Sequence, residues 1–181
     1  MKKVVVLYVE GEPSDVMFLR RALRFAQLPI DLLTVSDAQF AIEWLKGSVP
    51  YNDRQAYPLP ELIITELKLP CTSGFELLRF VRANARLRAL PVVVYSKCDF
   101  PSEAENSVRL GALAFFRKTN CCSNLLDFLR GWLAMRWEDE IDAERGQTLS
   151  DPRRPGDQPR LSSTNSSPNP RADSEVKQTT A

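Results

Sequence analysis

The sequence predicts an α/β fold built on a five-stranded, doubly wound parallel sheet, and three observations carry that expectation. Residues 1–146 alternate between short β-rich runs and longer stretches with helical spacing. The first run, Val4–Val9, is apolar over six consecutive residues, the pattern of a strand covered on both faces. Five such units in succession need crossover helices, and these cover both faces of a parallel sheet.

The elements follow in order. After Val4–Val9, Pro13 or Ser14 opens a helix to about Gln27, with Val16, Leu19, Leu23 and Ala26 at helical spacing, and Pro29 stops it. Ile30–Val35 is the second strand; Ser36 or Asp37 caps a helix bearing Ala38, Ala41, Ile42 and Leu45, which Gly47 closes. A long loop, Ser48–Pro60, contains three prolines and leads to the third strand, Leu62–Thr65. A helix near Gly74–Asn84 turns Phe75, Leu78 and Val81 inward. Pro91 introduces the strand Val92–Tyr95, a helix near Ser102–Leu110 ends at Gly111, and Ala114–Phe116 is the fifth strand. Ser123 caps a last helix that runs to about Trp137 or somewhat beyond.

Composition narrows the function. The chain has 181 residues, 44% of them hydrophobic, enough for a core without disulfides or metal. With 24 basic against 23 acidic residues there is no global field to attract nucleic acid or an anionic membrane, so neither is expected as a partner. Lys2 and Lys3 imitate a signal-peptide start, but Glu10 and Glu12 arrive too soon, and a cytoplasmic location is expected. Histidine is absent, which removes the commonest general base and metal ligand and excludes most hydrolases and His-rich metal enzymes. Over Gln147–Ala181, five prolines and ten serines or threonines accompany five isolated apolar residues and no aromatics. Such a segment cannot offset its ordering entropy, so residues 147–181 are read as a disordered polar tail after a domain at 1–146.

In open parallel sheets, sites form beyond the carboxyl ends of the strands. Glu10, Gly11 and Glu12 follow strand one, and Glu66 with Lys68 follows strand three. Ser96 and Lys97 end strand four, and Lys118 follows strand five. Singly, such charged residues are merely solvated. Jointly, they place carboxylates, a hydroxyl and a lysine on one rim.

Four stretches carry a family resemblance: Val4–Pro13, Leu59–Pro70 with Ser73, Gly74 and Phe75, Pro91–Ser96, and Gly111–Lys118. In this order, across roughly Lys2 to Arg136, they resemble the response-regulator receiver domain, whose sheet is flavodoxin-like. The long loop before strand three and the Leu67–Pro70 segment resemble the single-domain receivers that accompany phytochrome-type kinases. The resemblance implies two-component (phosphorelay) signal transduction. In the family, an aspartate after strand three takes a phosphoryl group from a histidine kinase, and an acidic pair after strand one holds magnesium. Carried over, the phosphoacceptor position falls on Glu66, the acidic pair on Glu10 and Gly11, the phosphoryl contacts on Ser96 and Lys118, and the switch aromatic on Phe115.

Three departures follow. Gly11 lacks the carboxylate that would touch the metal, so no metal ligand or cofactor is assigned and magnesium is expected to bind weakly at most. Glu12 is the acid that glycine's freedom could swing into that pocket. Glu66 is one methylene longer than aspartate, which displaces the nucleophile from in-line attack. Its carboxylate either reaches Ser96 and Lys118 and imitates part of a phosphorylated contact set, or simply pairs with Lys118 or Lys68 in a decayed site. Thr119 stands where the family usually has a proline after a commonly cis peptide. A cis bond before threonine costs about 2.5–4 kcal/mol, so the loop either keeps that strain or turns trans and re-aims Lys118.

The expected protein is therefore an atypical receiver without an output domain, a signalling protein rather than an enzyme. It acts through contacts with a histidine kinase or another signalling protein, independently of phosphorylation. The alternatives are a slow genuine phosphoacceptor and a redox-responsive binding module using Cys71, Cys98, Cys121 and Cys122, all in loops after strands three to five. On the last helix, Leu125 or Leu126, Leu129 and Leu133 face the sheet. Phe128, Trp132, Met135 and Trp137 are left over: either part of this set is core or covers the sheet edge, or, exposed together, they form an apolar patch that would serve a homodimer, and the interface is the favoured expectation.

Overall fold

A computed structural model describes residues 3–98 and 100–149, with side chains through residue 138. Five β-α units succeed one another: β1 (Val4–Val9), α1 (Pro13–Phe25), β2 (Ile30–Val35), α2 (Ala38–Lys46), β3 (Leu62–Thr65), α3 (Gly74–Ala83), β4 (Val92–Ser96), α4 (Pro101–Arg109), β5 (Ala114–Arg117) and α5 (Ser123–Leu149). All strand pairs are parallel, in the order β2-β1-β3-β4-β5. The chain divides into two compact units, Met1–Asp139 and Glu140–Ala181. The first holds the sheet and α1–α4. Of the second, the described part is helical, to Leu149.

Strand alternation splits the core in two. Leu7, Val9, Ile63, Val92 and Val94 face one side and pack with Ala41, Ile42 and Leu45 of α2 and Leu77, Leu78 and Val81 of α3. Val6, Tyr8, Leu62, Ile64, Val93 and Tyr95 face the other side and pack with Leu19 and Leu23 of α1 and Leu125, Leu129 and Leu133 of α5. Continuous apolar strands are required because neither face meets water.

Some expected boundaries shift for identifiable reasons. α1 ends at Phe25 rather than Gln27 because Gln27 takes the left-handed conformation, with φ at 52°. α4 begins at Pro101, whose missing N–H suits a first-turn position. Ser123 is the first helical residue of α5 rather than its cap, and α5 runs past Trp137 to Leu149. The last residues of α5 thus belong to the expected tail, whose remainder, from 150, lies outside the described residues.

The expected surface patch on α5 does not form. Trp132 is buried, Phe128 and Trp137 pack against the second core, and the Phe128 ring lies 5.3 Å from that of Phe116. Only Met135 of the four stays exposed, so these residues give no support to a dimer through this helix. Helical spacing places side chains around an axis; it does not tell how wide a stripe the sheet will cover.

One polar anchor fixes the loops next to the rim, and a second closes the far end of α2. Asp37 caps α2, accepting from the Gln39 amide at 2.9 Å, and its other oxygen accepts from the Cys71 and Thr72 amides at 2.8 and 3.1 Å. The β3–α3 loop is thereby tied to α2. Gly74 presses so close to the Glu66 carbonyl that a Cβ there would lie 2.3 Å from its oxygen, which only glycine permits. Arg54 plugs the end of α2, donating to the Trp44 and Leu45 carbonyls at 2.9 and 3.2 Å and to the Tyr57 carbonyl at 3.3 Å. Trp44 stacks on Tyr51 with centroids 5.2 Å apart and donates from Nε1 to the Pro58 carbonyl at 2.9 Å. Arg54→Ala should lower stability by about 1–3 kcal/mol, because it takes a charged donor from three carbonyls, of which that of Trp44 keeps the Gly47 amide. A urea titration would show it as a lower midpoint at unchanged slope.

Candidate functional site

Strand register brings the rim together. Val9 pairs with both Val35 and Thr65, and Thr65 with Val94, so Glu10 and Glu66 emerge side by side, one residue past the paired ends. The Glu10 amide donates to the Val35 carbonyl at 2.9 Å and the Glu66 amide to that of Val9 at 3.0 Å. Ser96 pairs with Arg117, and the Lys118 amide donates to the Ser96 carbonyl at 2.7 Å. Glu10, Glu66 and Ser96 are all buried, at 4%, 5% and 1% exposure, so their polar atoms must be satisfied within the protein.

The Lys118 ammonium supplies the shared counter-charge. It contacts a Glu10 oxygen closely, Asp15 Oδ2 at 2.9 Å and Glu66 Oε2 at 2.9 Å, and lies 5.6 Å from the centre of the Tyr95 ring. Burial alone would drive its proton off. Glu10, Glu66 and Asp15 outweigh that and raise its pKa above the ordinary lysine value. Lys97 adds a second ammonium on Asp15 Oδ2, at 3.0 Å.

Glu66 has no idle oxygen. Oε1 accepts from the Leu67 amide at 2.7 Å, and Oε2 accepts from the Lys97 amide at 3.2 Å besides meeting Lys118. Burial pushes its carboxyl up, but the Ser96 hydroxyl, the Lys118 charge and the Leu67 amide together hold it below the usual range. Glu66 thus meets Lys118 directly and feels the Ser96 hydroxyl, whose oxygen accepts from the Cys98 amide at 3.2 Å. Lys68 does not pair with its carboxylate; that ammonium lies 3.9 Å from Glu103 and against the Phe100 ring. Phe115 is half-buried, pairs with Val94 in the sheet and packs against the α2–α3 core. Val49–Pro50 is the sole cis peptide among the described residues, so the bond before Thr119 is trans, and Lys118 reaches the rim without the strain considered above.

Sequence reasoning missed Asp15 and Tyr8. Asp15 lies in the first turn of α1, where the helix dipole favours an acid for local reasons, so its position alone does not single it out. Tyr8 lay hidden in an apolar run, although a buried phenol needs a partner and Glu10, two residues on, faces the same side. Its hydroxyl donates to Glu10 Oε2 at 2.8 Å. Burial and that carboxylate push the Tyr8 pKa far up, and burial takes Tyr95 up to about 12.

Glu12 and the cysteines do not join the cluster. Glu12 is exposed, and only its amide contributes, donating to Glu10 Oε1 at 2.9 Å. Cys98 borders the cavity of about 300 Å³ beside Ser96 and Lys97, whereas Cys122 is buried in the second core. Cys71 and Cys121 are exposed, and all four thiols are free. Burial raises the Cys122 pKa, while Ser123 lowers that of Cys121.

No family model matches the chain. The fold and the rim nevertheless define a class, and the chain belongs to the response-regulator receiver family, with the flavodoxin-like sheet of that family. It is 25% identical to the response regulator Rcp1 of Synechocystis sp. over 70% of this chain and 84% of that one. The bacteriophytochrome response regulator RtBRR matches at 30% identity and a TM-score of 0.58, over 65% of this chain and 70% of that one. The phosphorylated cyanobacterial phytochrome response regulator RcpA matches at 26% and 0.62, over 71% and 90%. A Mn2+-bound form of Rcp1 matches at 25% and 0.61, over the same shares. Among the described residues, no helix is long and apolar enough to cross a membrane.

The metal bound by that relative does not fit the donors present here. Gly11 offers no ligand, and a Cβ on it would lie 3.1 Å from Pro70 Cδ, so Pro70 covers the position. Both oxygens of Glu10 and both of Glu66 are occupied by protein donors. Magnesium requires near-octahedral oxygen contacts at about 2.0–2.1 Å, which this arrangement does not provide.

The cluster sets the pH response. Asp15 and Asp37 are also depressed: burial raises them, but Lys118 and Lys97 outweigh it at Asp15, and the Gln39, Cys71 and Thr72 amides at Asp37. Carboxylates depressed in the folded state stabilise it above their unfolded pKa values of about 3.9–4.3 and lose that contribution as pH falls through the lower folded values. Lys118, raised, contributes fully below its unfolded value of about 10.4 and loses this as pH rises through the folded one. Urea midpoints should therefore fall steeply below about pH 4, and Asp15→Asn should make that acid limb shallower.

Proposed function

We propose that the chain is an atypical receiver that signals by protein–protein contact without taking a phosphoryl group. The observation that supports this reading is the saturated Glu66 carboxylate. The residue at the phosphoacceptor position is buried, and each of its oxygens already accepts from a protein donor. In-line attack needs a free carboxylate oxygen within about 3–3.5 Å of phosphorus, and Glu66 presents none.

Glu66 instead holds Lys118 and influences Ser96, the two groups that would otherwise contact the phosphoryl oxygens. One carboxylate charge is weaker than a phosphoryl group, but biasing a two-state equilibrium takes only a few kcal/mol. Phe115, packed against the core beside this arrangement, would present a single surface to a partner. The partner in this reading is a histidine kinase or another signalling protein, met in the cytoplasm, and no catalysis of a substrate reaction is involved. The outer face of α1 suits such a contact, since Met17 and Phe25 are 71% and 76% exposed beside the exposed Arg20, Arg21 and Arg24. An acidic, partly apolar surface complements it.

Intact mass after incubation with magnesium and acetyl phosphate tests the proposal. The wild type should keep its mass. A Glu66→Asp, Gly11→Asp, Pro70→Ala variant, which restores both acids and removes the ring over residue 11, should gain one phosphoryl group. A phosphorylated wild type would overturn the reading and make this a working phosphoacceptor.

A further inference from the structure

We propose that the Lys118 ammonium is a built-in replacement for a divalent cation: it fills the cage formed by Glu10, Asp15 and Glu66 and makes the rim indifferent to magnesium. The inference rests on the receiver reading above and names how that site is regulated, by an internal charge rather than a dissolved ion.

Three features carry it. The cage draws on three separate elements, the ends of β1 and β3 and the first turn of α1, and all three carboxylates converge on one nitrogen. Its size suits nitrogen. The contacts to Asp15 and Glu66 are both 2.9 Å, the ordinary ammonium–carboxylate distance, whereas magnesium would need each oxygen about 0.8–0.9 Å closer. The charge also matches, since Lys118 and Lys97 together bring two positive charges to the cluster, as one divalent ion would.

The ammonium is anchored as a permanent group. The Lys118 side chain is 6% exposed, its backbone is tied to Ser96 by the 2.7 Å amide bond, and the Tyr95 ring lies against the charge. Leaving the cage would strand Glu10 and Glu66 without that counter-charge and leave Asp15 to Lys97, so a dissolved cation competes against an intramolecular one.

Titration of Mn2+ into the full-length protein, with free ion read by electron paramagnetic resonance, tests this. The wild type should leave the Mn2+ signal unchanged, and its thermal midpoint should be the same in chelator and in millimolar magnesium. Lys118→Met, which empties the cage, should bind Mn2+ more tightly by on the order of tenfold or more, and adding Asp15→Asn should abolish the gain. A folded Lys118→Met that gains no affinity would overturn the proposal. If that variant does not fold, the wild type decides alone: Mn2+ binding that Asp15→Asn weakens overturns the proposal, and an unchanged signal supports it. The result stands apart from the phosphorylation test. A wild type that binds Mn2+ without taking a phosphoryl group overturns only the cation replacement, and one that is phosphorylated without binding Mn2+ overturns only the functional reading.

Discussion

A buried ammonium facing three carboxylates is the constraint on which the rest of this rim depends. None of the four charges would be stable there alone, because burial penalises each charged form. Together they offset one another in part, Lys97 adds a second positive charge against the three carboxylates, and the residual hydrogen-bonding capacity is met by Tyr8 and by the amides of Glu12, Leu67 and Lys97. Lys118 is the shared member: deleting it would leave the buried Glu10 and Glu66 uncompensated, which explains how a single side chain, one residue past β5, holds the ends of β1 and β3 and the start of α1 in one arrangement.

That arrangement also accounts for the two departures from the family pattern as one change rather than two losses. With glycine at position 11, the rim has one acid fewer near the ion position, and Pro70 closes over the space. With glutamate at 66, the carboxylate extends far enough to meet Lys118 while its inner oxygen stays on the Leu67 amide. The site is therefore full, not vacant.

Much of the scaffold was legible before any coordinates. The limits of β1, β2 and β3 are those expected from apolar runs and their breakers: β1 and β3, buried on both faces, stop where Glu10 and Glu66 begin, and β2, an edge strand that carries the exposed Asp31, stops at Ser36. Helix ends were less legible. Gln27 ended α1 by a backbone conformation that composition does not announce, and the aromatics of α5 were read as surplus because spacing alone cannot measure how far a helix sinks into a sheet.

The sequence by itself determined the fold class, the rim and most of its members, since period, breakers and strand-end chemistry are local properties. Only the tertiary structure decided what those members do to one another. Asp15 is 103 residues from Lys118, and nothing local tells a first-turn helix acid that it will share an ammonium with Glu10 and Glu66. The trans link to Thr119, the covering of Gly11 by Pro70 and the saturation of Glu66 belong to the same kind. Each depends on distances between strands and helices that packing sets, and electrostatic energies at a buried site follow those distances.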